Sequence, residues 1–284
     1  MLRRFRLEEP ESVQETAELL GRFGESAKIY AGGTELLLAM KEGLVQYERL
    51  INVKKLQGLS ELKLENDTIS IGALCTHYQL ETAALLKERL PALVELERNV
   101  ANVRVRYSGT IGGNLCFAEP HADPGTLLLA LGATLVAQKS SSRREIPAEE
   151  FFVDAYETCL EADEVLSEIR IPVPAAKSGI AYLKFGYLER PSVGLAIALK
   201  LNGGISDARV AVGCAGPAPR RVPEAEAMLK GKSIEEASRN LANAGQAAAR
   251  TAQAITDLHG SQDYKEHIIG VLLKRAFQRS VAQK

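Results

Sequence analysis

Ile29-Tyr30-Ala31-Gly32-Gly33-Thr34-Glu35-Leu36-Leu37 joins a short strand to a helical turn through a pair of glycines. The strand is read from Ala27 to Ala31, and Leu36, Leu37, Leu38 and Met40 read as a turn or two of helix after it. Glycine lets backbone N–H groups approach a ligand closely and adopts positive φ without a Cβ clash. Successive N–H groups in such a turn form a concave anion site, helped by a helix N-terminus. A second pair stands in Thr110-Ile111-Gly112-Gly113-Asn114, where Thr110 and Asn114 add polar side chains as Thr34 does in the first. Two such loops are able to hold the two phosphates of a dinucleotide from opposite sides. Neither is a GxGxxG fingerprint, and neither has the Lys-Ser/Thr of a P-loop. On chemistry alone, two readings stay open: a phosphate cradle, or two ordinary turns.

Outward from these loops, Val13, Ala17 and Leu20 recur at helical spacing after the start signal Pro10-Glu11-Ser12. Arg49 to Val53, Thr68 to Ala73 and Val165 to Ile171 read as strands. Tyr78 to Arg98 reads as helix interrupted at Pro91, and Leu127 to Gln138 as a passage from helix to strand. Pro172 and Pro174 mark a linker. Beyond it, Ile180 to Phe185, Val193 to Leu201 and Ala208 to Cys214 are strand-like, with the hairpin signal Asn202-Gly203-Gly204 between the last two. From Glu224 onward the chain reads as Ala-rich helix, with a capping box at Ser233 and Glu236. The expected fold class is α+β: a two-part α/β domain over residues 1–175, then a smaller domain of antiparallel strands and helices over 176–284.

The totals narrow the function classes. The chain has 284 residues, 46% hydrophobic and 25% charged, enough for a core and a cofactor cleft. Its formal net charge of −1 gives no sign of a nucleic-acid partner. No apolar run approaches the ~20 residues of a membrane span, and the charged stretch Met1 to Pro10 has no signal-peptide core, so a cytoplasmic location is expected. Cys75, Cys116, Cys159 and Cys214 form no CxxC pair, and the four histidines lack zinc-like spacing. The cysteines read as small apolar residues, and any iron–sulfur cluster belongs to another chain. His77 and His121 have no identifiable nucleophile or carboxylate partner in the sequence. Tyr187 reads as a core or surface tyrosine.

The first glycine stretch resembles the first FAD-binding motif of the medium subunits of the molybdenum hydroxylase family, of xanthine dehydrogenase and carbon monoxide dehydrogenase flavoprotein type. Val103-Arg104-Val105-Arg106-Tyr107-Ser108-Gly109-Thr110-Ile111-Gly112-Gly113-Asn114-Leu115 is similar to that family's second motif. The family often has Gln-Val-Arg-Asn where this chain has Arg104-Val105-Arg106-Tyr107. The resemblance covers essentially the whole length. It implies that FAD is bound by Ala31, Gly32, Gly33, Thr34 and Glu35 and by Thr110, Ile111, Gly112, Gly113 and Asn114, chiefly through backbone donors. It further implies contacts from Asp123, from Leu166 beside the flavin ring and from Lys184, with Val100 near the adenine. No catalytic dyad and no metal site are expected on this chain. A large subunit with molybdenum–pterin and a small subunit with two [2Fe–2S] clusters are the implied partners, assembled as a heterotrimer. Electrons would pass through FAD to an external acceptor, NAD or another carrier. The rivals are a self-contained FAD-dependent oxidase or reductase, which needs its own proton donor or base, and a flavin-free scaffold subunit.

Overall fold

The computed structural model describes residues 2–186 and 190–283; Tyr187 lies outside the described residues. The chain opens with β1 (Arg6–Glu8), α1 (Val13–Phe23), β2 (Ala27–Tyr30), α2 (Leu36–Glu42) and β3 (Arg49–Asn52). The three strands form a parallel sheet in the order β1-β3-β2. Ser12 caps α1 by accepting from the Glu15 N–H at 3.0 Å, and the Glu15 carboxylate accepts from the Glu11 N–H at 2.7 Å. Ala17, Leu20, Ala27, Ile51 and Val53 bury the apolar side of this small layer.

A second layer follows: β4 (Leu62–Glu65), β5 (Thr68–Gly72), then the helices α3 (His77–Thr82), α4 (Ala84–Arg89), α5 (Pro91–Arg98), α6 (Val103–Ser108), α7 (Ile111–Phe117) and α8 (Pro124–Leu131). After them come β6 (Thr134–Gln138), β7 (Arg143–Pro147), the short α9 (Ala148–Phe151), the small ribbon β8 (Phe152–Asp154) and β9 (Glu157–Thr158), and β10 (Val165–Pro172). Five of these strands make an antiparallel sheet, β4-β5-β10-β6-β7. The helical stretch expected over 78–98 breaks at Pro91 as read, and also at Ala83, whose backbone is extended. The sequence reading passed over β4 and β7; both are sheet edges whose residues are mostly exposed, so no apolar alternation marks them.

The last part contains β11 (Ser178–Phe185), β12 (Val193–Leu201), β13 (Ile205–Gly213) and β14 (Arg220–Arg221), followed by α10 (Pro223–Leu229), α11 (Ile234–Ala252) and α12 (Gln262–Val281). These strands form an antiparallel sheet in sequence order. On β12, Leu195, Ile197 and Leu199 face the core shared with α10–α12, while Ala196 and Ala198 face the first domain. The small side chains on that second face admit α8, every residue of which is buried. An all-apolar helix such as α8 requires cover on all sides. It receives that cover from its own domain and from β12 and β13. The mixed helical and antiparallel architecture is the α+β class expected. Across the boundary expected near residue 175, Ile180, Tyr182 and Ala211 belong to the same hydrophobic cluster as the first part of the chain.

Candidate functional site

The two glycine loops meet. The first follows β2 and opens α2, at the carboxyl end of a parallel strand, where α/β folds place ligands. Gly33 has φ +74°, and the Tyr30 ring occupies the place a Cβ would need. A Cβ on Gly32 would fall against the Ser108 carbonyl oxygen and 2.7 Å from Gly109 Cα, so the first loop abuts the approach to the second. Among the described residues, the backbone N–H groups of Gly32, Gly33 and Thr34 take no protein acceptor. Three successive unpaired donors at a partly exposed loop call for an anion or water.

The second loop is built differently. Thr110 is the N-cap of α7, with Oγ1 accepting from the Gly113 N–H at 3.1 Å. The Ile111 and Gly112 N–H groups donate to the Cys75 and Ala73 carbonyls at 2.9 Å, and Asn114 N–H donates to the Thr110 carbonyl at 2.9 Å. The His77 N–H donates to the Gly109 carbonyl at 3.1 Å, and Thr76 and Thr110 form a β-bridge. Of the backbone donors that the resemblance assigns to this loop, those of Ile111 and Gly112 dock it onto residues 73–77, and those of Gly113 and Asn114 return to Thr110. The loop also presents a side chain: among the described residues, Asn114 Oδ1 is buried with no hydrogen-bond partner. A buried acceptor left unpaired costs ~1–3 kcal/mol unless a donor arrives. Thr110→Val, which keeps the shape and removes the cap, is expected to lower stability by about 1 kcal/mol in urea unfolding. Thr110→Ser should change it by no more than a few tenths.

Asp123 and Lys184, each expected as a cofactor contact, pair with one another. Asp123 Oδ1 accepts from Tyr182 Oη–H at 2.6 Å and Oδ2 from Lys184 Nζ at 2.9 Å. Lys184 Nζ also donates to the Asn99 carbonyl at 2.7 Å, tying β11 to the end of α5 and the start of α8. Burial pushes the Asp123 carboxyl up, against Lys184 and Tyr182, which hold it down. The neighbouring Tyr182 hydroxyl and Cys214 thiol are pushed well up, chiefly by burial, so neither ionises near neutrality. Burial also drives the Cys75 thiol to about 11 and the Cys116 thiol to about 12. Cys75 and Cys214 are buried, and Cys116 and Cys159 are partly buried. Leu166 lies on β10 opposite Ala137 with its side chain in the main core, and Val100 is buried in the same core.

Other site neighbours had no local signal in the sequence. Arg190 reaches across from the second domain to Glu35 Oε2 at 3.4 Å, which joins it to the first glycine loop. His77 does have a carboxylate partner: its Nδ1 lies 2.6 Å from Glu97 Oε2, both side chains buried beneath Gly109. His121 has two, Glu119 and Asp257. Partners 20 and 136 residues away carry no spacing signal. A polar cavity of about 530 Å³, lined in part by Ser12, Lys63, Glu168 and Arg170, holds none of the predicted site residues. Among the described residues, no group of three or more His, Cys, Asp or Glu is placed to hold a metal ion. No helix there is long and apolar enough to cross a membrane. The unpaired amides of the first loop, its contact with the second, and the orphaned Asn114 oxygen together fit a dinucleotide such as FAD.

Comparison with known proteins gives the same answer independently. Residues 3–174 match the family described as the FAD binding domain in molybdopterin dehydrogenase, and residues 190–280 match the CO dehydrogenase flavoprotein C-terminal domain. The carbon monoxide dehydrogenase medium chain of Hydrogenophaga pseudoflava is 35% identical, over 99% of this chain and 98% of that one. The nicotine 6-hydroxylase medium subunit of Paenarthrobacter nicotinovorans is 31% identical over 96% of each. Among solved structures, the carbon monoxide dehydrogenase of H. pseudoflava that lacks the Mo-pyranopterin moiety superposes with a TM-score of 0.95, at 35% identity over 99% of both chains. Quinoline 2-oxidoreductase from Pseudomonas putida 86 superposes with a TM-score of 0.91, at 28% identity over 100% of this chain and 99% of that one. With both parts of its length matched and the glycine loops in contact, the chain belongs to the FAD-binding medium subunits of the molybdenum hydroxylase family.

Proposed function

We propose that this chain is the flavin relay of a molybdenum hydroxylase assembled from three kinds of subunit. A large subunit carries the molybdenum–pterin centre, a small one carries [2Fe–2S] clusters, and this medium subunit passes their electrons to an external acceptor, NAD or another carrier. The relatives' designation as the medium chain of a carbon monoxide dehydrogenase and the medium subunit of a nicotine 6-hydroxylase supports this division of labour. The observation that carries the reading is the junction of the glycine loops at Gly32, where, among the described residues, three amides on one side and the Asn114 oxygen on the other find no partner. Bound FAD supplies reversible one- and two-electron chemistry. The chain's own residues bind and orient it. The amides of Gly32, Gly33 and Thr34 hold the pyrophosphate, with Ala31 and Glu35 completing that loop. Thr110, Ile111, Gly112 and Gly113 fix the second loop, and Asn114 accepts a hydrogen bond. The Asp123–Lys184 pair sets the distance between the two domains, and Leu166 supplies an apolar wall. A cytoplasmic location and a heterotrimer, paired into a dimer, belong to the same proposal.

The test is the visible absorption spectrum of the chain, tagged and purified gently from its own cells. Flavin bands overlaid with iron–sulfur absorption from co-purifying chains are expected. Flavin bands on the lone chain together with turnover of an organic substrate would overturn the relay in favour of a self-contained flavoenzyme. Partners without flavin would reduce the glycine loops to ordinary turns.

A further inference from the structure

Beside the first glycine loop stands a lysine that none of the roles above employs. Lys54 lies just beyond β3, at the carboxyl end of the parallel sheet whose strand β2 runs into Gly32 and Gly33. The strand register brings it there. Tyr30 of β2 pairs with Asn52 of β3, and the Val53 N–H donates to the Tyr30 carbonyl at 3.1 Å. The Lys54 N–H then donates to Asn52 Oδ1 at 3.3 Å, which turns the chain as it leaves the sheet. The Lys54 side chain lies over Tyr30: Nζ donates to Tyr30 Oη at 2.8 Å and stands 4.0 Å from the ring centroid. The edge of the same ring, at Cε2, occupies the place that a Cβ on Gly33 would need. One tyrosine thus touches the ammonium with its face and hydroxyl and the glycine loop with its edge.

The surrounding charges leave that ammonium to spare. Among the described residues, Lys54 takes no carboxylate partner, whereas its neighbour Lys55 is turned to Glu9 at 3.3 Å. The acid of the loop itself, Glu35, is matched by Arg190 at 3.4 Å. The amides of Gly32, Gly33 and Thr34 offer partial charges, and a phosphate carries full ones. Lysine binds phosphate as a point charge on a flexible four-carbon stem. Lys54 is exposed, and an exposed ammonium is held on an aromatic face only weakly, so a short swing carries it from the ring to an anion at the loop.

We propose that Lys54 is a further phosphate-binding residue of the first glycine loop, supplying the counter-charge to the pyrophosphate of FAD, and that Tyr30 is the positioning residue that keeps its ammonium at the loop. The inference rests on the FAD reading above. It gives the two sides of Tyr30 different work: the edge shapes the turn at Gly33, and the face and hydroxyl hold the lysine ready. It also separates two adjacent lysines, because Lys54 is turned to the loop and Lys55 to Glu9. An attraction between an exposed ammonium and a phosphate is screened by salt, which a purely structural contact of the lysine with the Tyr30 ring would not convey to the cofactor.

The experiment titrates the flavin-stripped full chain with FAD, followed by flavin fluorescence, at about 0.01 M and about 1 M salt, between which the screening length falls from about 30 Å to about 3 Å. Lys54→Gln is expected to weaken binding about tenfold at the lower salt and by less than about twofold at the higher. Lys54→Arg, which keeps the charge, should stay within about threefold of the wild type. Tyr30→Phe keeps the ring and loses the hydrogen bond to Nζ, and should weaken binding about threefold at the lower salt. Lys55→Gln is the control and should bind as the wild type does. Unchanged affinity in Lys54→Gln, a loss there that salt does not diminish, or a Lys54→Arg variant as weak as Lys54→Gln would overturn the counter-charge. Unchanged affinity in Tyr30→Phe would remove the positioning role. A wild-type chain that binds no FAD at either salt would instead sink the FAD reading itself.

Discussion

Gly32→Ala is expected to reduce FAD affinity by about a hundredfold while leaving the helix and strand content unchanged. The added Cβ would press on the Ser108 carbonyl oxygen and stand 2.7 Å from Gly109 Cα. Both neighbours are backbone, so no side-chain rotation relieves the clash and the loops must move apart. Overpacking of this kind costs roughly 1–3 kcal/mol. The three amides from Gly32 to Thr34 then lose their aim, and charge-assisted bonds to a phosphate are the stronger class of hydrogen bond. About 3 kcal/mol in total corresponds to roughly a hundredfold in Kd. Titration of the flavin-stripped chain with FAD, followed by fluorescence quenching, measures it. Gly21→Ala is the control, because its Cβ would meet Asp163 Cβ at an ordinary 3.8 Å. Affinity within threefold of wild type for Gly32→Ala would end the cradle reading.

Lys184→Met should be among the most damaging substitutions outside the glycine loops, at about 3–5 kcal/mol of stability, because it leaves a buried carboxylate without its counter-charge. Asp123 is 3% exposed and retains only the Tyr182 hydroxyl once Lys184 Nζ is gone. The sign of the pH dependence follows from the direction of the shift. Burial already makes the folded chain hold the Asp123 proton more tightly than the unfolded chain does. Such a group contributes stability fully below its unfolded pKa and loses it as pH rises through the folded value. Removing Lys184 moves the folded value further up and widens that window. The deficit should therefore be smallest in mild acid and grow toward neutral pH, as urea unfolding at both ends would show. Adding Asp123→Asn should recover much of the loss, since the two sites share one interaction. A deficit that does not vary with pH would mean that lost packing, not the stranded charge, is the cause.

The sequence read well wherever apolar periodicity or glycine punctuation carried the information. Thr68 to Ala73, Val165 to Ile171 and Val193 to Leu201 were read as strands and correspond to β5, β10 and β12. These are interior strands, rich in β-branched and leucine side chains because both of their flanks are covered. Leu62–Glu65 and Arg143–Pro147 were missed because an edge strand owes its conformation to its neighbour's hydrogen bonds and leaves little trace in its own residues. At the site, the glycine pairs marked the two loops, but not their unequal wiring. The Ile111 and Gly112 amides bond carbonyls of Cys75 and Ala73, almost forty residues upstream. The charged pairs were the least legible. His121 and Asp257 meet across 136 residues, and no local rule connects them.

The burial of α8 has a consequence for how the protein comes into being. During synthesis the first domain leaves the ribosome as far as residue 174 while β12 and β13 are still to be made. Until Gly213 has emerged, Leu127 to Leu131 lack the surface that will cover one side of them. Domains normally fold as units in order of synthesis, and exposed apolar surface on a partly made chain invites aggregation. The most apolar helix of the chain is therefore fully covered only once the second half has been made. A gene cut near residue 175 would yield an N-terminal fragment that is insoluble alone and becomes soluble when the C-terminal fragment is made beside it.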